Sequence, residues 1–232
     1  STTLSSSGLM PTASLYASSM MPSVFSALPE KESLYKNSYD VKAGRWPEKY
    51  NEAVLVVSSR GTVTDLTLYT LGMKDYSEFE SLVSALSSGN ISQETEVDGK
   101  GSYSFSDFIG KTLKIVNAPD CYVKDENLNV YTDKRDDETY MKSVVDNSED
   151  LTIVGVAQAE DEESVNVLSS GINYEPSLIE HVVEKAKDSQ IVKDQMADPD
   201  TNVLTGEAFG EKETENLSMD NLFSVNTEAM SS

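Results

Sequence analysis

Five adjacent apolar residues, Ala53-Val54-Leu55-Val56-Val57, stand close behind the turn-forming cluster Gly44-Arg45-Trp46-Pro47. A strand with one wet face needs a polar residue at every second position, and this run has none. It is rich in β-branched residues and too short for an ordinary helix, so it predicts a buried strand, with Pro47 and Asn51 turning the chain into it. Trp46, the only tryptophan in the chain, is expected to cap the edge of the core. Glu52 stands at the mouth of the strand.

The rest of the chain predicts a mixed α and β domain. Asp65 to Leu71 followed by Gly72 carries an N-terminal cap signal, apolar spacing and a C-terminal cap glycine, which predicts a short helix. A capping box at Ser77-Glu78-Phe79-Glu80 and apolar residues at Phe79, Leu82, Val83 and Leu86 predict a second helix ending at Gly89. Alternation across residues 111–116 and the apolar run at 151–157 predict two more strands, and residues 127–131 the edge of a hairpin. Pro176 and Ser177 open a helix whose stripe is Leu178, Ile179, Val182, Val183 and Ala186, with Lys185 and Lys187 favourably placed in its last turn. A shorter helix is expected over residues 188–196 and a last strand over 202–205. Strands and helices interleave without a regular repeat, which favours an α+β mixed sheet with packed helices, in one or two lobes, over a doubly wound sheet.

With 18 basic and 40 acidic residues the chain has a formal charge of −22, which repels phosphate backbones and anionic headgroups. Nucleic acid is excluded as a natural partner, whereas a cationic ligand is attracted. The charge is unevenly spread. Residues 1–29 carry none of it and are rich in serine and methionine, which reads as an arm or loop that docks on something. Residues 119–163 hold 14 acidic and 4 basic side chains, and an acidic insertion over about residues 118–150 is expected within the domain over residues 30–232. No apolar run approaches the roughly 20 residues that cross a bilayer, and the first residues lack the basic start and dense apolar stretch of a signal peptide.

Few familiar chemistries fit this composition. Cys121 is the only cysteine and His181 the only histidine, which excludes an internal disulfide and a thiolate-rich or multi-histidine metal site. A catalytic triad would have to be built on His181. Its place beside the apolar stripe reads instead as a partly buried packing residue. No glycine-rich phosphate loop is present, and no cofactor is indicated. Residues 125–129 and 198–202 carry closely spaced carboxylates and amides of the kind calcium takes, but Val130 and Val203 stand where an EF-hand requires glycine, so turn formation is expected. No metal site is assigned.

Five short motifs, taken in order, share one resemblance. Tyr39-Asp40-Val41, Ala43-Gly44-Arg45-Trp46-Pro47 and Asn51-Glu52-Ala53-Val54-Leu55 resemble the G-x-x-P…N-E-x-V-L segment of the extracytoplasmic domain of MacB/FtsX-type ABC transporter permeases, in a form similar to those of Firmicutes. Asp65 to Gly72 resembles the helix that follows there. Phe108-Ile109-Gly110-Lys111-Thr112-Leu113 resembles the start of the next strand, and residues 151–156 the L-x-I-V-G-I strand. Gly171-Ile172-Asn173-Tyr174 through Leu178 resembles G-I-x-Y-x-x-x-L, with residues 202–206 and Phe209 following. The uncharged start has no counterpart in the family.

The resemblance implies an extracellular, non-catalytic domain at the outer face of a Gram-positive cell membrane, cut from a permease that assembles as a dimer. It would be joined through membrane helices to a separate ATPase subunit that supplies the energy, and would bind or sense a substrate or partner protein. The motif residues Asp40, Gly44, Trp46, Pro47, Glu52, Gly72, Gly110, Gly155, Gly171 and Tyr174 would then be structural. The acidic surface suits cationic peptides. A free-standing surface or secreted ligand-binding or adhesion module is the alternative, and acid-pair hydrolysis a third reading.

Overall fold

The computed structural model describes residues 24–74, 94–96, 103–160 and 167–209. Its strands are β1 (Phe25–Ala27), β2 (Tyr39–Gly44), β3 (Glu52–Val57), β4 (Thr62–Thr64), β5 (Glu94–Glu96), β6 (Thr112–Ile115), β7 (Tyr122–Asp125), β8 (Val130–Asp133), β9 (Glu149–Ala159) and β10 (Gly171–Tyr174). Its helices are α1 (Asp65–Thr70), α2 (Glu138–Asn147), α3 (Ser177–Asp188) and α4 (Gln190–Ala197). Among the described residues the main sheet has six strands in the order β1-β10-β3-β9-β2, with β6 also on β9. β3 runs parallel to β9 and antiparallel to β10, while β2 and β6 are both antiparallel to β9. This is an α+β fold with a mixed sheet, as the sequence pattern predicts.

β3 is the central strand, and every residue of it is buried. Ala53, Leu55 and Val57 enter one apolar cluster with Leu68, Phe108 and Ile153. Val54 and Val56 enter a second, with Tyr35, Tyr39 and Leu168. Alternation thus persists in three dimensions, but both faces are apolar, which is why the five-residue run contains no polar position.

β9 is eleven residues long and serves two partners in succession along one edge. Residues 149–152 pair with β6 and residues 155–159 with β2. At the handover the register shifts on both sides, between Val41 and Ala43 of β2 and between Ala53 and Val54 of β3.

α1 follows its expected chemistry. The Thr64 hydroxyl accepts from Thr67 N at 3.3 Å. The helix ends in a Schellman motif in which Gly72, at φ +64°, and Met73 donate to Tyr69 and Leu68. The predicted helix from Ser77 to Gly89 lies outside the described residues, as do 1–23 of the uncharged arm. The arm's end is a short strand, β1, parallel to β10.

Two expectations are corrected. Residues 202–205 form a turn rather than a strand, because Asn202 Oδ1 accepts from Leu204 N at 2.9 Å and Gly206 turns back at φ +73° to donate to Asn202 O at 2.7 Å. Side-chain capping by asparagine prevails there over the β-branched residues around it. On α3, Ile179 and Val183 are about half exposed, so the stripe is narrower than its apolar content suggests. The seated side is Leu178, Val182 and Ala186, with polar His181 and Lys185 drawn toward the sheet by Glu149.

A smaller assembly forms beside the sheet. The hairpin β7–β8 is joined to the turn after α4 by a Tyr131 N to Val203 O bond of 2.8 Å, and to α4 itself by Lys124 and Tyr131, each donating to Asp194 at 2.8 Å.

Candidate functional site

Three of the motif stretches meet where β9 passes from β6 to β2. Gly44 and Gly155 are register partners, and each is required by the main chain of the residue beside the other. A Cβ on Gly155 would overlap the Arg45 carbonyl, and a Cβ on Gly44 would overlap the Val154 carbonyl. Gly44 also holds φ +67°, a conformation that L side chains rarely adopt. Arg45 N donates to Val154 O at 3.0 Å and Gly110 N to Ile153 O at 2.8 Å. Three separate motifs therefore interlock through main-chain contacts across a single two-residue step of β9.

Arg45 and Glu52 close the corner. The guanidinium grips the Glu52 carboxylate with two bonds of 2.6 and 2.8 Å, and Glu48 N donates to the same carboxylate at 2.9 Å. Glu52 is only 7% exposed, so it needs this fork. The Arg45 hydrogen bonds hold its pKa down to about 2 against the opposing effect of burial, with the Glu48 N–H assisting. Trp46 packs on Tyr35 with ring centroids 4.9 Å apart, capping the second apolar cluster as expected, and Pro47 is buried beneath the turn.

The remaining motif residues lie elsewhere. Asp40 is at the far end of β2, exposed and 3.0 Å from Lys42 Nζ. Gly72 ends α1. Gly171 opens β10 at φ +125°, where a Cβ would press on the Val24 carbonyl. Tyr174 ends β10 as the partner of Ala53 and Ala27.

Sequence reading missed a second hub. Glu149, the first residue of β9, accepts from Tyr50 Oη at 2.9 Å, His181 Nε2 at 3.0 Å and Lys185 Nζ at 2.7 Å. His181 also stacks on Tyr50, with centroids 3.9 Å apart and planes 23° apart. This fastens α3 to the loop before β3. The Lys185 bond foremost, with Tyr50 and His181 assisting, holds Glu149 at about 2 in spite of burial. No local signal in the sequence joins residues 99 positions apart. Arg45, quoted within its motif, gave equally little indication that it would seek Glu52.

These carboxylates are ionised and pinned by cations. A general acid or base needs a pKa near the working pH, and Glu52 and Glu149 lie far below it. Among the described residues no group of three or more histidine, cysteine or acidic side chains could hold a metal ion. At Asp125, in the first calcium-like segment, the carboxylate instead caps the hairpin turn, accepting from Asn127 N and Leu128 N. Cys121 is buried, and burial pushes its thiol pKa up. No helix among the described residues is long and apolar enough to cross a membrane. No family model, curated protein or solved structure matches the chain.

The pinned carboxylates predict acid sensitivity with a definite sign. Glu52 is held at about 2 when folded, against an ordinary value of 4.5. Its contribution is complete above about pH 4.5 and is lost as pH falls toward 2. Because Arg45 is half exposed, solvent screening keeps the stability gained from this pair below what the displaced pKa alone implies. Thermal melts between pH 6 and pH 2.5 should show a shallower acid loss for Glu52→Gln than for the parent chain. Parallel curves would show that the clasp contributes no proton-linked stability.

Proposed function

We propose that this chain is the non-catalytic extracellular domain of an ABC transporter permease of the MacB/FtsX type, and that it transmits ATP-driven motion as a rigid head. The observation that carries this reading is the convergence of the motifs. Gly44, Glu52, Gly110 and Gly155 come from three separate stretches of sequence that resemble the same family, and all four lie at one corner where each stretch braces another. Motifs matched by accident have no reason to meet. The bracing is main-chain contact and paired charge, which suits a body that moves as a unit rather than one that performs chemistry on a substrate.

In this reading the ATPase is a separate subunit, reached through membrane helices of a dimeric permease. The chain's own part is to bind or sense a substrate or partner at the outer face of a Gram-positive membrane. A charge of −22 favours cationic ligands and speeds their arrival. The reading is tested by membrane topology. The full-length parent is expected in the membrane fraction with this domain facing outward, whereas a parent found free of the membrane would support a free-standing binding module instead.

A further inference from the structure

A cavity of about 360 Å³ opens between the β7–β8 turn, α4 and the turn after α4, with Lys124, Leu128, Tyr131, Asp194, Asp198 and Asn202 among its walls. One cation already occupies part of it. Lys124 Nζ lies 2.8 Å from Asp194 and 5.8 Å from the centre of the Tyr131 ring, so Asp194 is the anion that the protein's own lysine satisfies. The Asp198 carboxylate, on the same wall, accepts no hydrogen bond and joins no ion pair with the described residues; only its backbone is engaged, the N–H by Asp194 O and the carbonyl by Gln195. Leu128, at the tip of the hairpin, is 71% exposed and forms an apolar shelf at the rim.

The surroundings add negative charge and little to offset it. Glu126 adjoins the hairpin tip and Asp200 follows Asp198 by two positions. A compact cavity that holds one paired lysine, one unpaired carboxylate and an apolar lip is complementary to a side chain that combines an aliphatic stem with a cationic end.

We propose that this cavity receives a lysine or arginine side chain of a peptide, its charged end at Asp198 beside the Lys124–Asp194 pair and a neighbouring apolar residue of the peptide on Leu128. This rests on the reading of the domain as an outward-facing binding head, and it names the place on that head where a cationic peptide is held. Recognition combines a charge-assisted bond at Asp198 with burial of Leu128, so both groups should matter, and acidic residues elsewhere should not.

The test titrates the full chain with a labelled, amidated peptide of alternating lysine and leucine, read by fluorescence anisotropy, with the lysine-acetylated peptide as its control. Asp198→Asn is expected to weaken binding about tenfold, the loss of one charge-assisted bond. Leu128→Ser is expected to weaken it several-fold. Both positions are exposed, so the variants should retain the parent melting temperature. Glu138→Gln, at the exposed start of α2, should bind like the parent. The site is overturned if the parent chain does not bind, if the acetylated peptide binds equally well, or if Asp198→Asn and Glu138→Gln weaken binding alike, the mark of a diffuse field. Because binding is measured without a membrane, any of these results removes the site while leaving the topology of the parent protein to be decided separately.

Discussion

Gly155→Ala is expected to destabilise the domain by at least about 3 kcal/mol, a large share of the roughly 5–15 kcal/mol that holds a domain folded. The added methyl group would overlap the carbonyl of Arg45, the residue that follows β2. Backbone cannot rotate away as the end of a side chain can, so β2 would have to separate from β9 at the point where the Arg45–Glu52 clasp is anchored. Gly110→Ala is the informative comparison. Nothing lies within 4 Å of its would-be Cβ, but φ is +81°, so backbone strain alone should cost about 1–2 kcal/mol. Urea melts of the two variants should separate them clearly. Equal midpoints, or a larger loss at Gly110, would show that close approach is not what requires glycine at position 155.

Phe108→Ala is expected to cost about 3–5 kcal/mol and to lower the melting temperature by on the order of 10 °C. Phe108 is completely buried in the cluster that contains Leu55, Leu68 and Ile153. It sits in the single turn Phe105–Phe108 just ahead of Gly110, so its ring fixes the approach of β6 as well as filling the core. The truncation would leave a void lined by side chains of the central strand, β9 and α1, elements too firmly paired to close over it. Calorimetry measures the effect directly. A loss below about 1 kcal/mol would mean that the surrounding core collapses freely and that Phe108 does not organise it.

The elements legible in the sequence were those whose causes are local. An unbroken apolar run gave β3, a threonine cap and a glycine stop gave α1, and Pro176 with Ser177 gave the start of α3. The glycines at positions 44, 110 and 155 stood out through their motifs, yet their shared purpose is visible only where β9 changes partners. α2 escaped notice because it buries no residue completely and lies in the most acidic stretch, where the apolar stripe is thin. The strand expected at 202–205 failed because one asparagine side chain and one glycine outweighed local β-propensity. The Glu149 hub and the Lys124–Asp194–Tyr131 cluster were illegible for a simpler reason: an ion pair joins residues by fold, and 40 acidic residues offer too many partners for spacing to select one.

The central claim is that this chain is a passive head carried outside the membrane by a permease, and its orientation can be measured. Cys121, the chain's only cysteine, is buried, so a membrane-impermeant maleimide should leave the native domain essentially unlabelled. With Asp200→Cys introduced into the full-length parent, in an exposed turn, the reagent added to intact cells should label the protein, and the label should sediment with membranes. Labelling that appears only after lysis, or a labelled protein that stays in the soluble fraction, would contradict the account.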